Sequence, residues 1–323
     1  MTRLRRSNPN GRGYARVLSG RGFAYLDPSG ASVTNPDVRE RLDRLVIPPA
    51  WTDVWISPYE NGHILATGHD AAGRRQYIYH PAWRERMDRF KFDRALALAE
   101  KLPTARRAVT IDLRRDELDR ARVLATAFRM LDQGSLRVGS ERYALEHGSR
   151  GLSTLRAADA RVKADSVELE FPGKSGKEWS STIRDPELAH VIRQLKRRGA
   201  TAKLLAWRED GRWHPVHAEE INQYIELRTG GAFTAKDFRT LHGTVAAARS
   251  LAASGPQPTV RARKSAIVRA VLAASEVLGN TPAIARKSYV DPRLIDAYEG
   301  GETVNPSDNG AVETQLRALL RRF

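Results

Sequence analysis

The chain contains no cysteine. This absence excludes disulfide bonds, thiolate zinc sites and cysteine nucleophiles. No apolar run approaches the roughly 20 residues that a membrane-spanning helix needs. The basic N-terminus also lacks the apolar segment of a secretory signal. We therefore expect a protein that does not enter membranes and that works in the cytoplasm.

Familiar catalytic motifs are missing as well. Without a G-x-x-x-x-G-K-[ST] segment a P-loop ATPase is not expected, and no G-x-S-x-G nucleophile elbow is present. The histidine pairs His63/His69 and His214/His217 have no nearby cysteines or carboxylate cluster, which is typical of structural histidines. The sequence therefore predicts no metal site.

Positive charge, in contrast, is abundant. Lysine and arginine number 54 against 38 aspartates and glutamates, which gives a net charge of +16. Most of these bases are arginines, whose forked guanidinium group suits phosphate. Such an excess indicates a polyanionic partner, most simply nucleic acid. Residues 1–22 carry several arginines and no acid, which predicts a flexible basic arm that either contacts DNA or is a solvated tail.

A change in composition divides the rest of the chain. Residues 23–90 are rich in proline, glycine, tryptophan and tyrosine, and their short strand-like runs predict a small antiparallel β domain. The segment Val38–Leu45 is its best helix candidate. From about Pro81 apolar residues recur with helical spacing, which predicts a mainly helical domain over residues 91–323. The expected fold class is therefore α+β.

Two patterns refine the helical domain. An apolar helix face runs from Leu118 to Leu131, and Gly134 follows where a left-handed glycine commonly ends a helix. Residues 154–184 alternate between apolar and polar around a turn at Pro172–Gly176. This alternation predicts a β-hairpin or a three-stranded sheet inserted among the helices.

Five short segments together carry a family resemblance. In chain order they are Gln76–Trp83 (Q-Y-I-Y-H-P-A-W), Ser135–Tyr143 (S-L-R-V-G-S-E-R-Y), Phe171–Lys177 (F-P-G-K-S-G-K), Lys236–Thr240 (K-D-F-R-T) and Lys287–Pro292 (K-S-Y-V-D-P). They resemble the type IB DNA topoisomerases, in the compact poxvirus-like form found in bacteria. The resemblance implies the catalytic fold shared with tyrosine recombinases, an inserted β-hairpin, and a C-shaped clamp around duplex DNA.

The resemblance also assigns the catalytic residues. Tyr289 would be the nucleophile, and Arg137 and Arg239 would hold the charge that develops on the phosphate oxygens. Guanidinium groups stay protonated and form forked hydrogen bonds, and a tyrosine hydroxyl needs such positive charge to react at neutral pH. Lys174, on a glycine-flanked turn, would protonate the leaving 5′-oxygen. Lys177 competes for this role, but the order F-P-G-K favours Lys174.

One position departs from the family pattern. A histidine usually lies nine residues before the nucleophile, and here that residue is Asn280. An amide can donate a hydrogen bond to a phosphate oxygen, but it cannot carry a charge or transfer a proton. We expect Asn280 to stabilise the transition state by hydrogen bonding. The alternative is a slower or inactive enzyme.

The expected DNA contacts lie in both domains. In a strand Tyr77 and Tyr79 share one face and Gln76 points to the other, unless a bulge re-aims one of them. We expect this stretch to meet the major groove, where glutamine can read adenine and tyrosine can pack on thymine. In the helical domain the family motifs suggest Tyr143 and Lys236 as further DNA-binding residues.

The activity implied by the resemblance is relaxation of supercoiled DNA. One strand is cut through a 3′-phosphotyrosyl link, the free end rotates, and the strand is resealed without ATP, metal or any other cofactor. The partner would be double-stranded DNA in the nucleoid, with no obligate protein partner and a monomeric enzyme. A tyrosine recombinase is the first alternative, but these usually have histidine where Lys236 stands. The second is a catalytically inactive DNA-binding module.

Overall fold

The computed structural model describes residues 3–305 and 312–323. The chain forms two compact units, Met1–Phe90 and Lys91–Phe323. Each has its own apolar core. Within the described ranges no helix combines the length and the hydropathy required to cross a bilayer.

The N-terminal unit is built on a five-stranded antiparallel sheet with the order β2-β1-β3-β4-β5. Its strands are β1 (Tyr14–Ser19), β2 (Gly22–Leu26), β3 (Thr52–Ile56), β4 (Ile64–His69) and β5 (Arg75–Tyr79). The helix α1 (Pro36–Asp43) begins at Asn35, whose side chain accepts hydrogen bonds from two backbone N–H groups of the first turn. The expected helix at Val38–Leu45 therefore starts and ends two residues earlier.

The basic segment 1–22 is not a flexible arm throughout, so this expectation is wrong for its second half. Tyr14–Ser19 forms β1, which lies between β2 and β3 in the sheet. The Arg16 guanidinium donates to three carbonyls of the loop before β3, at 2.7–2.9 Å. Further upstream, the Arg5 N–H donates to the Asn61 carbonyl at 2.8 Å. Arg16, one of the arginines that suggest a solvated tail, thus satisfies backbone oxygens in the fold.

Helices dominate the C-terminal unit. They are α2 (Pro81–Leu113), which begins before the unit boundary, α3 (Arg120–Gly134), α4 (Glu141–His147), α5 (Pro186–Lys196), α6 (Ala218–Thr229), α7 (Ala235–Ser254), α8 (Val260–Leu278), α9 (Pro282–Ser288), α10 (Pro292–Glu299) and α11 (Val312–Leu320). Phe128 of α3 is fully buried and packs edge-on against Phe238 of α7, with ring centroids 5.3 Å apart. The start of α7 is fixed by Asp237, whose carboxylate accepts the Thr234 N–H at 2.8 Å.

Two small sheets lie in this unit. The strands β6 (Ala160–Lys163), β7 (Ser166–Pro172) and β8 (Glu178–Arg184) form an antiparallel sheet in sequence order. Alternate side chains of β7, Val167, Leu169 and Phe171, are buried in the core of the unit. The second sheet is the hairpin of β9 (Ala206–Glu209) and β10 (Arg212–Pro215), which the sequence interpretation missed.

The end of α3 differs from the expectation. Gly134 is the last helical residue, and the left-handed position is occupied by Ser135, with φ of 52°. A Cβ on Gly134 would come within 2.9 Å of the Ile183 side chain, so the glycine allows close packing against β8. The strained backbone falls instead on Ser135, two residues before Arg137.

Candidate active site

Five segments of the C-terminal unit, both helices and loops, bring the expected catalytic residues towards one place. Arg137, Lys174 and Asn280 line the same cavity of about 250 Å³. Arg239 of α7 holds its guanidinium carbon 5.4 Å from the ring centroid of Tyr289, the residue that ends α9. Residues far apart in the sequence therefore form a single basic site.

The loop carrying Arg137 is fixed by its backbone. The Arg137 carbonyl accepts from the Leu152 N–H at 2.9 Å, and the Val138 carbonyl accepts from the Ser153 N–H at 2.8 Å. A Cβ on Gly151 would lie only 2.6 Å from the Gly139 Cα, so two glycines permit this close approach. The Arg137 side chain, half-buried, extends from a rigid base.

Arg239 is buried, with 3% of its surface exposed. One of its terminal nitrogens donates to the Ser135 carbonyl, and the other donates to the Leu278 carbonyl at 2.8 Å. Burial, followed by the positive charge of Arg137, lowers the pKa of Arg239 to about 10, while Tyr289 acts in the opposite direction. Arg239 therefore remains protonated at neutral pH and places a desolvated positive charge beside Tyr289.

Asn280 follows the left-handed Gly279 that ends α8. Its Oδ1 accepts a hydrogen bond from Arg137 at 2.5 Å. Because a guanidinium only donates, this contact fixes the amide orientation and leaves the Nδ2 donor facing away from Arg137. A Cβ on Gly279 would come within 2.7 Å of the Trp179 ring of β8, so the absence of a side chain at this turn lets Trp179 pack against it.

Two donors at this site are buried without a partner. Within the part of the chain that the structure describes, Arg239 Nε and Asn280 Nδ2 make no hydrogen bond. Buried polar groups are nearly always satisfied, so unpaired donors need an explanation. Beside two arginines, they are suited to the oxygens of an anion such as a phosphodiester. No cluster of His, Asp or Glu side chains in the described ranges is placed to hold a metal ion.

The turn between β7 and β8 carries both candidate acids. Lys174 and Lys177 both line the cavity, and both side chains are exposed. The turn is closed by the Gly173 N–H, which donates to the Lys177 carbonyl at 2.7 Å. The geometry thus places either lysine at the site and does not by itself choose between them.

Residues that the sequence interpretation missed surround the nucleophile. On α7, Gly243 and Thr244 contact the backbone of Tyr289. His242, also on α7, has its Nδ1 2.8 Å from Ser135 Oγ. The backbone carbonyl of the same Ser135 accepts a hydrogen bond from Arg239. The available signal in the sequence was a glycine inside a helical pattern, which usually has a packing or functional reason.

Three of the expected DNA-binding residues, Gln76, Tyr77 and Tyr79, lie together on β5 in the N-terminal unit. On β5 Tyr77 and Tyr79 share a face and stack, with ring centroids 5.8 Å apart, and Tyr77 is 40% exposed. Tyr79 is half-buried, so neither residue is a fully buried core tyrosine. Gln76 Nε2 donates to Asp70 at 2.9 Å, which orients its amide.

Of the two DNA-binding candidates in the C-terminal unit, Lys236 can be placed. It is exposed in the first turn of α7, three residues before Arg239, and thus on the same side of the helix. The side chain of Tyr143 lies outside the described residues.

Two protein families and two known proteins match the sequence of this chain, and together the matches cover most of its length. Residues 80–300 match the family described as eukaryotic DNA topoisomerase I, catalytic core, and residues 22–70 match the bacterial DNA topoisomerase IB N-terminal domain. DNA topoisomerase 1B of Acanthamoeba polyphaga mimivirus is 30% identical over 95% of this chain and 94% of its own. DNA topoisomerase 1 of Mycosarcoma maydis is 25% identical over 61% of this chain and 22% of its own. The chain therefore belongs to the type IB DNA topoisomerases, the isomerases that relax supercoiled DNA.

Proposed function

We propose that Tyr289 is the nucleophile with which this topoisomerase cuts one strand of duplex DNA. The observation that carries the proposal is the pair of unsatisfied buried donors, Arg239 Nε and Asn280 Nδ2, close to a tyrosine and a second arginine. A phosphodiester at this point would satisfy both donors. It would also bring its phosphorus near the Tyr289 hydroxyl.

The chemistry follows from this placement. The Tyr289 hydroxyl loses its proton to water as its oxygen attacks phosphorus, the bond from phosphorus to the 5′-oxygen breaks, and a 3′-phosphotyrosyl link forms. Arg137 and Arg239 stabilise the negative charge on the non-bridging oxygens, and Asn280 donates a neutral hydrogen bond to one of them. Lys174 gives its proton to the departing 5′-oxygen. The link conserves the phosphodiester energy, so the 5′-hydroxyl reseals the strand by the reverse reaction without ATP.

The helical unit is inferred to share the catalytic fold of the tyrosine recombinases, with the β7–β8 hairpin as its inserted arm. This hairpin gives Lys174 an exposed position on a glycine-flanked turn at the edge of the site. Duplex DNA would be held through Lys236 and Tyr143 here and through Gln76, Tyr77 and Tyr79 of the N-terminal unit. We further propose a monomer that acts on the nucleoid in the cytoplasm.

The test is relaxation of negatively supercoiled plasmid with EDTA present and ATP absent. The unaltered protein relaxes the plasmid and, after denaturation, leaves a covalent protein–DNA adduct. Tyr289→Phe is expected to bind DNA with unchanged affinity and to yield neither relaxation nor adduct.

Tyr298→Phe is the matched control. Tyr298 is also a C-terminal tyrosine, but it is buried and its hydroxyl donates to the Gly255 carbonyl at 2.7 Å. This variant should keep relaxing plasmid. If Tyr289→Phe still formed the covalent adduct, the assignment of the nucleophile would be refuted. The same conclusion would follow if Tyr298→Phe lost the adduct while Tyr289→Phe kept it.

A further inference from the structure

Thr244 joins α7 to the backbone at Tyr289 and just after it. Its Oγ1 lies 3.0 Å from the Tyr289 carbonyl oxygen and 3.2 Å from the Asp291 backbone nitrogen. The Thr244 side chain is buried, with 3% of the residue exposed. We propose that Thr244 is a positioning residue for the nucleophile, an inference that rests on the proposed role of Tyr289.

The hydrogen-bond pattern can be assigned from donor and acceptor counts. The Asp291 N–H can only donate, so the Thr244 oxygen accepts from it. The single hydroxyl proton of Thr244 then goes to the Tyr289 carbonyl or to the Thr240 carbonyl, which lies at 3.1 Å in the preceding helical turn. Threonine in a helix commonly bonds only to that preceding turn. Here the same oxygen also holds the segment that carries the nucleophile.

Gly243 supports the same contact from the neighbouring position. A Cβ at Gly243 would lie 2.7 Å from the Tyr289 carbonyl oxygen and 2.8 Å from the Tyr289 Cβ. Glycine is unfavourable inside a helix, so its presence in the middle of α7 needs a compensating benefit. The benefit is close approach: without a side chain at Gly243, the Tyr289 backbone packs directly on α7 and comes within reach of the Thr244 hydroxyl.

This contact matters because α7 also carries Arg239. Gly243 follows Arg239 by four residues, so the two lie on the same side of the helix, about 6 Å apart along its axis. One rigid turn therefore sets both the charge-stabilising arginine and the backbone of the attacking tyrosine. Attack at phosphorus requires the nucleophile, the phosphate and its stabilising donors to keep a fixed geometry. A displacement of about 1 Å can slow such a reaction roughly 100-fold.

A purely structural role for Thr244 makes a different prediction. Loss of a structural hydrogen bond would lower the folded fraction, which reduces the amplitude of a single-turnover reaction and leaves its rate constant unchanged. Loss of a positioning contact lowers the rate constant and leaves the end point unchanged. Since Tyr289 is the nucleophile in cleavage and the leaving group in resealing, both rate constants should fall by a similar factor.

The experiment is single-turnover cleavage and resealing of a short duplex, with the melting temperature and the DNA affinity measured in parallel. Thr244→Val, which keeps the shape and removes the hydroxyl, is expected to lower both rate constants by about 10- to 100-fold. Its DNA affinity should be unchanged. Thr244→Ser, which keeps the hydroxyl, should stay within a few-fold of the original rates. If Thr244→Val does not fold, the comparison of Thr244→Ser with Thr244→Ala isolates the hydroxyl in the same way.

Thr126→Val is the matched control. Thr126 is fully buried on α3, and its hydroxyl donates only to the Arg122 carbonyl of the preceding turn. This variant should lose thermal stability without a change in either rate constant. Equal rate losses in the Thr244 and Thr126 variants, unchanged rates in Thr244→Val, or a Thr244→Ser variant as slow as Thr244→Ala would overturn the proposal. Cleavage by Tyr289→Phe in the same assay would instead refute the nucleophile itself.

Discussion

At the scale of single residues, we propose two functions for Asn280 that experiments can separate. Its Oδ1 holds Arg137, and its Nδ2 is the buried donor that we assign to a phosphate oxygen. Asn280→Ala removes both functions and should lower the single-turnover cleavage rate by about 100-fold, as is typical for the loss of one such donor. Asn280→His should restore most of the rate, because an imidazole N–H can make the same bond.

Asn280→Asp is the decisive comparison. The carboxylate retains an acceptor for Arg137 but has no donor and repels the phosphate, so this variant should be at least as slow as Asn280→Ala. A cleavage rate near the original value in Asn280→Asp would show that the residue only holds Arg137. A lower melting temperature with an unchanged rate in Asn280→Ala would reduce Asn280 to a helix-capping residue.

The sequence indicated residues whose chemistry is distinctive and missed those that act through the backbone. Arg137 and Arg239 stand in motifs, Asn280 stands nine residues before the nucleophile, and the structure places all three around one cavity or beside Tyr289. Thr244, in contrast, is one of many threonines in helical patterns. Its role depends on which carbonyl lies within 3 Å, and that is a property of tertiary packing alone.

At the scale of elements, the end of α3 stores backbone strain close to the site. Ser135 has a positive φ, which an L-residue adopts at a cost of about 1–2 kcal/mol, and its hydroxyl contacts the buried His242. Ser135→Gly and Ser135→Ala both lose this hydroxyl, but only glycine relieves the strain. We expect Ser135→Gly to exceed Ser135→Ala in free energy of unfolding by about 1 kcal/mol, measured by urea denaturation.

The same pair of substitutions at Ser265 provides the control. Ser265 is exposed inside α8, where the backbone is right-handed. There alanine should be more stable than glycine by about 1 kcal/mol, so the order is reversed. If the alanine variant were more stable than the glycine variant at both positions, the backbone at Ser135 would not be strained in solution.

The elements that the sequence interpretation misassigned have identifiable physical reasons. Gly134 resembled a helix-ending glycine, yet it lies inside the helix and allows the close approach of Ile183 from a strand about 50 residues later. The hairpin β9–β10 did have a local signal, since Asp210-Gly211 is a dipeptide typical of tight hairpin turns, and both residues have positive φ. Its flanking strands of four residues are too short to show a clear alternation of apolar and polar residues, and helices precede and follow them in the sequence.

At the scale of the whole molecule, the excess of basic side chains, a net charge of +16, should make DNA binding strongly dependent on salt. Each phosphate that a basic side chain neutralises contributes about −0.9 to the slope of log affinity against log salt concentration. Affinity of the inactive Tyr289→Phe protein for a duplex should therefore fall steeply as salt rises. Fluorescence anisotropy over a series of salt concentrations measures the slope without covalent trapping.

Individual lysines should contribute unequally to that slope, although each carries the same charge. Lys236 is exposed beside the buried Arg239, so Lys236→Ala should make the slope shallower by about 0.9. Lys163 carries the same charge, but it is paired with Glu168 at 2.8 Å. It lies on β6, next to the end of β7 that is farthest from the Lys174 turn, about 20 Å away along the strand. Lys163→Ala should leave the slope unchanged. Equal changes in the two variants would mean that the duplex responds only to net charge, and the placement of Lys236 on the DNA would then be wrong.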